Sequence, residues 1–393
     1  MKRILISIRD LNIGGVQKSL VELLKAFNQE IDSEKIQIDL LCLNSNGILK
    51  NEINPKVKII VPNKKFRIFG LSNAETKKNQ FTFIKRSFWA LWSKMFSNKL
   101  PLRLALKNQS NLGDYDIAIS YATTIDGHSM YAGWSELILE KCNAKKKIVY
   151  IHNDYINSAL NNTNTYKLLK QFDKIWFVSK SCEKSFLESF KEFEGKTDYI
   201  YNFIDIDRVK KLANEECDFK KNTECLNFVS VSRLSPEKGY VRTLNVLKKL
   251  KDDGFNFVWH IIGDGPEKQA IELKIKELNL QANIIMYGAK ANPYPYMKHS
   301  DFLMLNSLNE SFGIVLIENM LLGKTVFSTN TIAADEIIKD NGIVCENSEQ
   351  GIYKELKKIM EKPSIIKEFE KKLENYSYDN KEIKSKLEKL INE

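Results

Sequence analysis

Short apolar runs alternate with segments of helical periodicity along nearly all 393 residues, and that alternation restricts the chain to an α/β architecture. Arg3–Ile8 reads as a buried strand, after which Leu20, Leu23, Leu24 and Phe27 recur at helix spacing. The runs Ile36–Leu43, Val57–Val61, Asp116–Ser120, Lys147–Ile151 and Asp173–Ser179 read as further strands. A second series follows at Leu226–Ser232, Phe257–Ile262, Asp301–Asn306 and Thr325–Ser328. Between the two series lies a polar stretch, 209–225, without periodic burial, which reads as a linker. A chain of this length has room for two cores, so the expected organisation is one α/β unit over 1–208 and another over 226–375. Parallel sheets in two units meeting at a cleft are the expected fold class.

Residues just past the carboxyl ends of strands in such sheets are where ligands bind. Asn309–Asn319 (N-E-S-F-G-I-V-L-I-E-N) places Glu310 in a loop after a strand and Glu318 on the first turns of a helix that stops near Gly323. From Gly313 to Glu318 the helix rises about 7–8 Å, a separation suited to two ends of one extended ligand. A carboxylate matches a vicinal diol, and the amides of Phe312, Gly313 and Ile314 are helix-start donors that favour anions. The bland alternative is an amphipathic helix with one solvated glutamate. Gly14-Gly15, at the first strand-to-helix turn, lets backbone approach a diphosphate, or serves only as a tight turn. No G-x-G-x-x-G is present, which argues against a dehydrogenase. R-L-S-P-E-K-G sets Arg233 at a strand end and Lys238 at a helix start, able to flank one diphosphate. G-D-G-P puts Gly263 and Gly265 in a strong turn. His152 follows another strand, a position open to either a structural or a ligand-binding role. Asp205-Ile206-Asp207 is too short an acidic match to indicate a metal, and Asp207 reads equally as a helix cap.

Taken in order, E-S-F-G-I-V-L-I-E, R-L-S-P-E-K-G, G-D-G-P, Gly14-Gly15 and Asn202 with Asp205 resemble the motifs of glycosyltransferase family 4, the retaining nucleotide-sugar transferases of GT-B fold. The resemblance spans nearly the whole chain. It implies two Rossmann-like domains, the first for the acceptor and the second for the nucleotide sugar, with residues 376–393 forming a helix that crosses back to the first. It gives Glu310 the hydroxyls of the donor sugar and Glu318 the nucleotide ribose. His152 would contact that sugar, and Gly14-Gly15 would face the donor diphosphate or the acceptor. Gly263 and Gly265 would line the nucleotide pocket, while Tyr294, Tyr296 or backbone near 288–290 are open candidates for the base. Ala333-Ala334 stands where many relatives carry two glycines, a departure that leaves the role of that loop open.

Charge is unevenly distributed. The formal net charge is +10, and residues 64–107 hold eleven basic side chains against one acid, Glu75, so this segment equals the excess of the whole chain. Eight aromatic residues are interleaved with them. Over Phe81–Phe96, Ile84, Phe88, Leu91, Trp92, Met95 and Phe96 share one helix face, with Lys85, Arg86 and Lys94 largely off it. Basic and aromatic residues on an amphipathic helix form the pattern of an interfacial membrane segment, and each basic residue near an anionic leaflet adds about 1 kcal/mol. Lys85, Arg86, Trp89 and Trp92 are therefore the expected docking residues. A core helix with a solvated basic face is the first alternative. Nucleic acid is disfavoured because no nucleic-acid-binding motif surrounds the patch.

Six scattered cysteines without a C-x-x-C pair point to a reducing cytosol, without zinc or a disulfide framework. The amino-terminal residues run directly into a strand without a cleavable leader pattern, and no apolar run is long enough to span a bilayer. The expected function is a metal-independent, cofactor-free hexosyltransferase that moves a sugar from a UDP- or GDP-sugar donor to a lipid-linked glycan, as in capsule, O-antigen or exopolysaccharide synthesis. It would work as a cytoplasmic protein held peripherally on the inner face of the membrane. A soluble small-molecule or protein acceptor, and a catalytically silent scaffold, are the alternatives.

Overall fold

The computed structural model describes residues 1–12, 14–30, 35–71, 73–77, 79–123 and 127–392; Ile13 of the first turn and Lys78 of the basic segment lie outside them. Contacts divide the chain into unit 1, Met1–Phe203 with Asn380–Glu393, and unit 2, Ile204–Asp379. Each is a wholly parallel sheet with helical connections.

Unit 1 holds β1 (Lys2–Asp10), β2 (Ile36–Asn44), β3 (Lys58–Ile60), β4 (Asp114–Ser120), β5 (Asn143–Ile151), β6 (Lys174–Phe177) and β7 (Thr197–Tyr199). Their order is β3-β2-β1-β4-β5-β6-β7, so the winding direction reverses between β1 and β4. Apolar residues fill the central strands on both faces: Ile4, Leu5, Ile6, Ile119, Ile148 and Val149 are fully buried, as a sheet covered on both sides requires. Ser179 caps the helix Lys180–Ser189 through the amide of Cys182.

Unit 2 holds β8 (Leu226–Val231), β9 (Phe257–Ile262), β10 (Ile284–Gly288), β11 (Phe302–Leu305), β12 (Thr325–Thr329) and β13 (Ile343–Cys345), in the order β10-β9-β8-β11-β12-β13. The reversal here falls between β8 and β11. Phe228, Trp259, Leu244, Leu247, Phe302 and Phe327 are fully or almost fully buried in one core. Strands β10 and β13 escape the sequence reading because they are short apolar runs, with Met286–Gly288 and Val344 only partly covered.

The stretch expected as a linker is structured. Its first residues complete a helix, Ile206–Leu212, capped by Asp205 (not Asp207), whose carboxylate accepts the Arg208 amide at 3.0 Å. Farther on, Phe219 stacks on His260 at 4.2 Å, the Lys220 amide donates to the Tyr287 hydroxyl, and the Asn222 amide donates to Asn227. The segment thus covers the β9–β10 side of unit 2. Its polarity hid this role because the anchoring is by hydrogen bonds and one aromatic ring. The helix Lys381–Asn392 belongs with unit 1: Lys386 reaches Asp198 at 2.8 Å and the Tyr199 carbonyl, and the Tyr199 hydroxyl bonds Glu382.

The helix in the basic segment runs Gln80–Met95, capped by Asn79. One expected docking residue is misplaced by the sequence reading: Arg86 is only 6% exposed, and its guanidinium lies 5.3 Å from the Tyr131 ring centre. It faces into unit 1, because the helix is rotated so that Arg86 and Ser93 form its inner side. Among the described residues no helix is long and apolar enough to cross a membrane.

Candidate functional site

In unit 2 the loops leaving β8, β9 and β11, neighbouring strands on either side of the reversal, interlock through their backbones. The Ser232 amide donates to the Ile262 carbonyl, the Leu234 amide to Asp264 and the Glu267 amide to Leu234, all at 3.0–3.1 Å. This contact demands glycine: a Cβ on Gly263 would lie 1.9 Å from the Ser232 oxygen, and one on Gly265 would lie 2.3 Å from the Leu234 oxygen. On the other side, a Cβ on Gly239 would meet the Asn306 carbonyl at 2.4 Å, and the Leu308 amide donates to the Glu237 carbonyl at 2.7 Å. Arg242 tightens the same seam by donating to the Asn306 carbonyl and the Asn347 side chain, both at 2.7 Å, and to the Ser307 carbonyl at 3.2 Å.

The seam brings Lys238 and Glu310 together. Their charged ends are 2.5 Å apart, and each side chain is under a fifth exposed. Ser307 adds a weak bond to the same Glu310 oxygen at 3.4 Å. Arg233, next in sequence to Ser232, is exposed and makes no ion pair among the described residues. Phe312 is buried, and Gly313 (φ 71°) opens the helix Ile314–Leu321. Glu318 lies on that helix, 3% exposed, and its Oε1 accepts the Tyr294 hydroxyl at 2.7 Å. Tyr296, the other candidate for the base, bonds Asp218 instead. An exposed cation and a carboxylate held by a lysine thus lie on the loops that follow β8 and β11, the crevice position for this sheet order, and a second carboxylate, oriented by a tyrosine, lies on the helix that follows the β11 loop.

In unit 1, the turn after β1 is braced by buried Asp10, which accepts the Asn12 amide and the Gln17 side chain at 3.0 Å and Arg9 at 2.5 Å. Gly15 then starts the helix Gly15–Glu30, with the Lys18 amide bonded to Gly14. His152 follows β5 with its ring 4.6 Å from Tyr121 and 4.2 Å from Tyr150. Burial pushes its pKa down to about 3, so the imidazole is neutral at physiological pH. The Tyr121 hydroxyl meets Ser19 at 2.7 Å, and Ser19 donates to Asn202 at 2.7 Å, tying His152's neighbour to the helix that Gly15 opens. Tyr121 was missed from sequence, although it sits immediately past β4, a position that could have singled it out. Tyr294 was a candidate for the base, but its bond to Glu318 is visible only in the structure. Among the described residues no group of three or more His, Cys, Asp or Glu side chains is placed to hold a metal ion.

The family profile described as "Glycosyl transferases group 1" matches residues 214–380. An N-acetylgalactosamine-N,N'-diacetylbacillosaminyl-diphospho-undecaprenol 4-alpha-N-acetylgalactosaminyltransferase from Campylobacter jejuni is 26% identical over 379 residues, covering 95% of this chain and 94% of that protein. A 2-deoxystreptamine N-acetyl-D-glucosaminyltransferase from Niallia circulans is 32% identical over 165 residues, covering 38% of this chain and 41% of that one. Among solved structures, Anabaena Alr3699/HepE in complex with UDP and glucose superposes with a TM-score of 0.66 at 16% identity, covering both chains completely. The profile lies on unit 2, which carries Arg233, Lys238, Glu310 and Glu318, and the fold likeness extends over both units. Residues 214–380 thus match the group 1 glycosyl transferases, and the chain as a whole has the GT-B glycosyltransferase fold.

Proposed function

We propose that this glycosyltransferase moves a hexose-type sugar, with retention, from a UDP- or GDP-sugar to a lipid-linked glycan during bacterial surface polysaccharide synthesis, while held on the inner face of the cell membrane. The observation that carries the reading is the Lys238–Glu310 pair at the β8–β11 reversal, with Arg233 on the same loop as Lys238. Breaking the bond from the anomeric carbon to the diphosphate places negative charge on the leaving group. Cations already fixed there stabilise the transition state more than the ground state. Lys238 supplies a point charge, and Arg233 a bidentate fork. Glu310 holds hydroxyls of the donor sugar, and Glu318, oriented by Tyr294, holds the ribose. His152, neutral by burial, offers the sugar a hydrogen bond without a competing positive charge. Gly15 offers bare backbone to the diphosphate or the acceptor, and Gly263 and Gly265 line the nucleotide site. With charge neutralised by two side-chain cations, the reaction runs without a divalent metal or another cofactor. The lipid-linked acceptor is supported by the Campylobacter relative, whose name specifies a diphospho-undecaprenol substrate.

The test is a thermal-shift series with nucleoside diphosphates, followed by assay of donor turnover in EDTA. A diphosphate at 100 times its Kd stabilises the fold by about 2.7 kcal/mol. That stabilisation is expected for the uridine or guanosine compound and should fall sharply in Arg233→Ala. The assignment is lost if no nucleoside diphosphate shifts the midpoint. A metal requirement for turnover would overturn the metal-independent mechanism alone.

A further inference from the structure

The helix Gln80–Met95 carries an apolar face that none of the described residues covers. Phe81, Ile84, Phe88, Leu91 and Met95 are between 58% and 78% exposed. At about 100° per residue they fall within an arc of about 80°, opposite buried Arg86 and Ser93. Lys85 flanks that arc on one side and exposed Lys94 on the other. Trp89 and Trp92 sit half-buried on the Lys85 side, with Trp89 against Phe88 at 5.1 Å and Trp92 against Phe96 at 4.6 Å. The neighbouring helix Lys99–Lys107 repeats the pattern, exposing Leu100 and Leu104 beside Lys99, Arg103 and Lys107.

We propose that this face inserts into an anionic lipid bilayer, with the five apolar side chains below the headgroups, the tryptophans at headgroup level and the lysines and arginine against the phosphates. Exposed apolar side chains at the centre with cations at the margin match an interfacial helix lying in the membrane plane. The charge argues for lipid over a second copy of the chain. The acid of this segment, Glu75, accepts the Asn44 side chain at 2.5 Å, so a self-complementary dimer through this face would set two basic surfaces against each other. Nucleic acid would be met by cations at the centre of the patch, whereas here the centre is hydrocarbon and aromatic ring. The surface differs from a purely electrostatic one: Arg86 takes no part, and release by salt should be incomplete. The proposal rests on the acceptor being lipid-linked for its purpose, but vesicle binding is measured without donor or acceptor, so either reading can fail alone.

The experiment is co-sedimentation of the full chain with vesicles of phosphatidylcholine alone and with about one third phosphatidylglycerol. The wild type should pellet with the anionic vesicles and keep part of its binding at high salt. The triple variant Ile84→Ser, Phe88→Ser, Leu91→Ser should lose roughly tenfold or more of its partitioning, and Lys85→Gln with Lys94→Gln several-fold. All side chains changed are exposed or at the margin, so the thermal shift given by the nucleoside diphosphate should be the same in every variant. Undiminished pelleting of the triple variant overturns the proposal, as does equal binding to neutral vesicles. A wild-type dimer that the triple variant converts to monomer, with no vesicle binding, would also overturn it and assign the face to self-association.

Discussion

Glycines at strand ends occur in both units, and the same sequence logic singled out both sets. The structure separates them. In unit 2, Gly263 and Gly239 sit where neighbouring loops press backbone to backbone, so a methyl group would strike a carbonyl oxygen at 1.9 or 2.4 Å. In unit 1, a Cβ on Gly15 would touch nothing within 4 Å, and one on Gly14 would meet only the end of the Gln17 side chain. The unit 2 glycines are therefore explained by the fold, and through the fold they hold Lys238 against Glu310. Packing leaves Gly15 unexplained. Its bare backbone is a better candidate for meeting a ligand than the glycines whose motif is stronger.

That contrast can be tested from its strongest consequence downward. Lys238→Ala removes the cation that the seam holds against Glu310, and under the proposed function donor turnover should fall by about 10²- to 10³-fold with a small change in thermal midpoint. A loss of activity no larger than that of an exposed lysine variant would show that the seam serves stability alone. Gly263→Ala should act in the opposite sense, unfolding unit 2 at lower denaturant by about 2–4 kcal/mol because the obstructing atom is backbone. Two histidines, half-buried His152 and fully buried His260, compare the units by pH. Burial holds His152 down to about 3 and His260 to about 4, so the unfolded chain takes up protons that the folded one refuses. Stability is therefore full above the ordinary imidazole value of about 6.5 and is lost as pH falls towards those values, by about 2 kcal/mol per histidine at about pH 5. Denaturant titrations at neutral and acid pH should show a flatter dependence in His260→Gln. The smallest effect is the most discriminating: Gly15→Ala should leave stability unchanged or slightly raised, while donor kcat/KM falls about tenfold. Unchanged kinetics would return Gly15 to the role of a simple turn.

The sequence was most informative where chemistry depends on fixed spacing along one loop. R-L-S-P-E-K-G and E-S-F-G-I-V-L-I-E each set residues relative to a strand end, and β8 and β11 deliver them side by side. Periodicity located the helix Gln80–Met95 but left its rotation open, because Arg86 and Lys85 are adjacent and tertiary packing, with Tyr131 against Arg86, decides which one is inside. The supporting residues were hidden for a related reason. Tyr294 on Glu318, Arg242 on the Asn306 carbonyl and Ser19 between Tyr121 and Asn202 act across 24, 64, 102 and 183 positions of sequence. The polar residues after Leu212 looked like a tether because hydrogen-bonded anchoring leaves no apolar period.

The placement of Lys381–Asn392 has a consequence for the order of events during synthesis. Unit 1 is discontinuous in sequence, and β7, an edge strand of its sheet, receives Lys386 and Glu382 from a segment translated only after all of unit 2. While the ribosome is making residues 204–379, the nascent unit 1 therefore has an edge strand whose Asp198 carboxylate and Tyr199 carbonyl still await Lys386, the kind of margin that invites strand pairing with other chains.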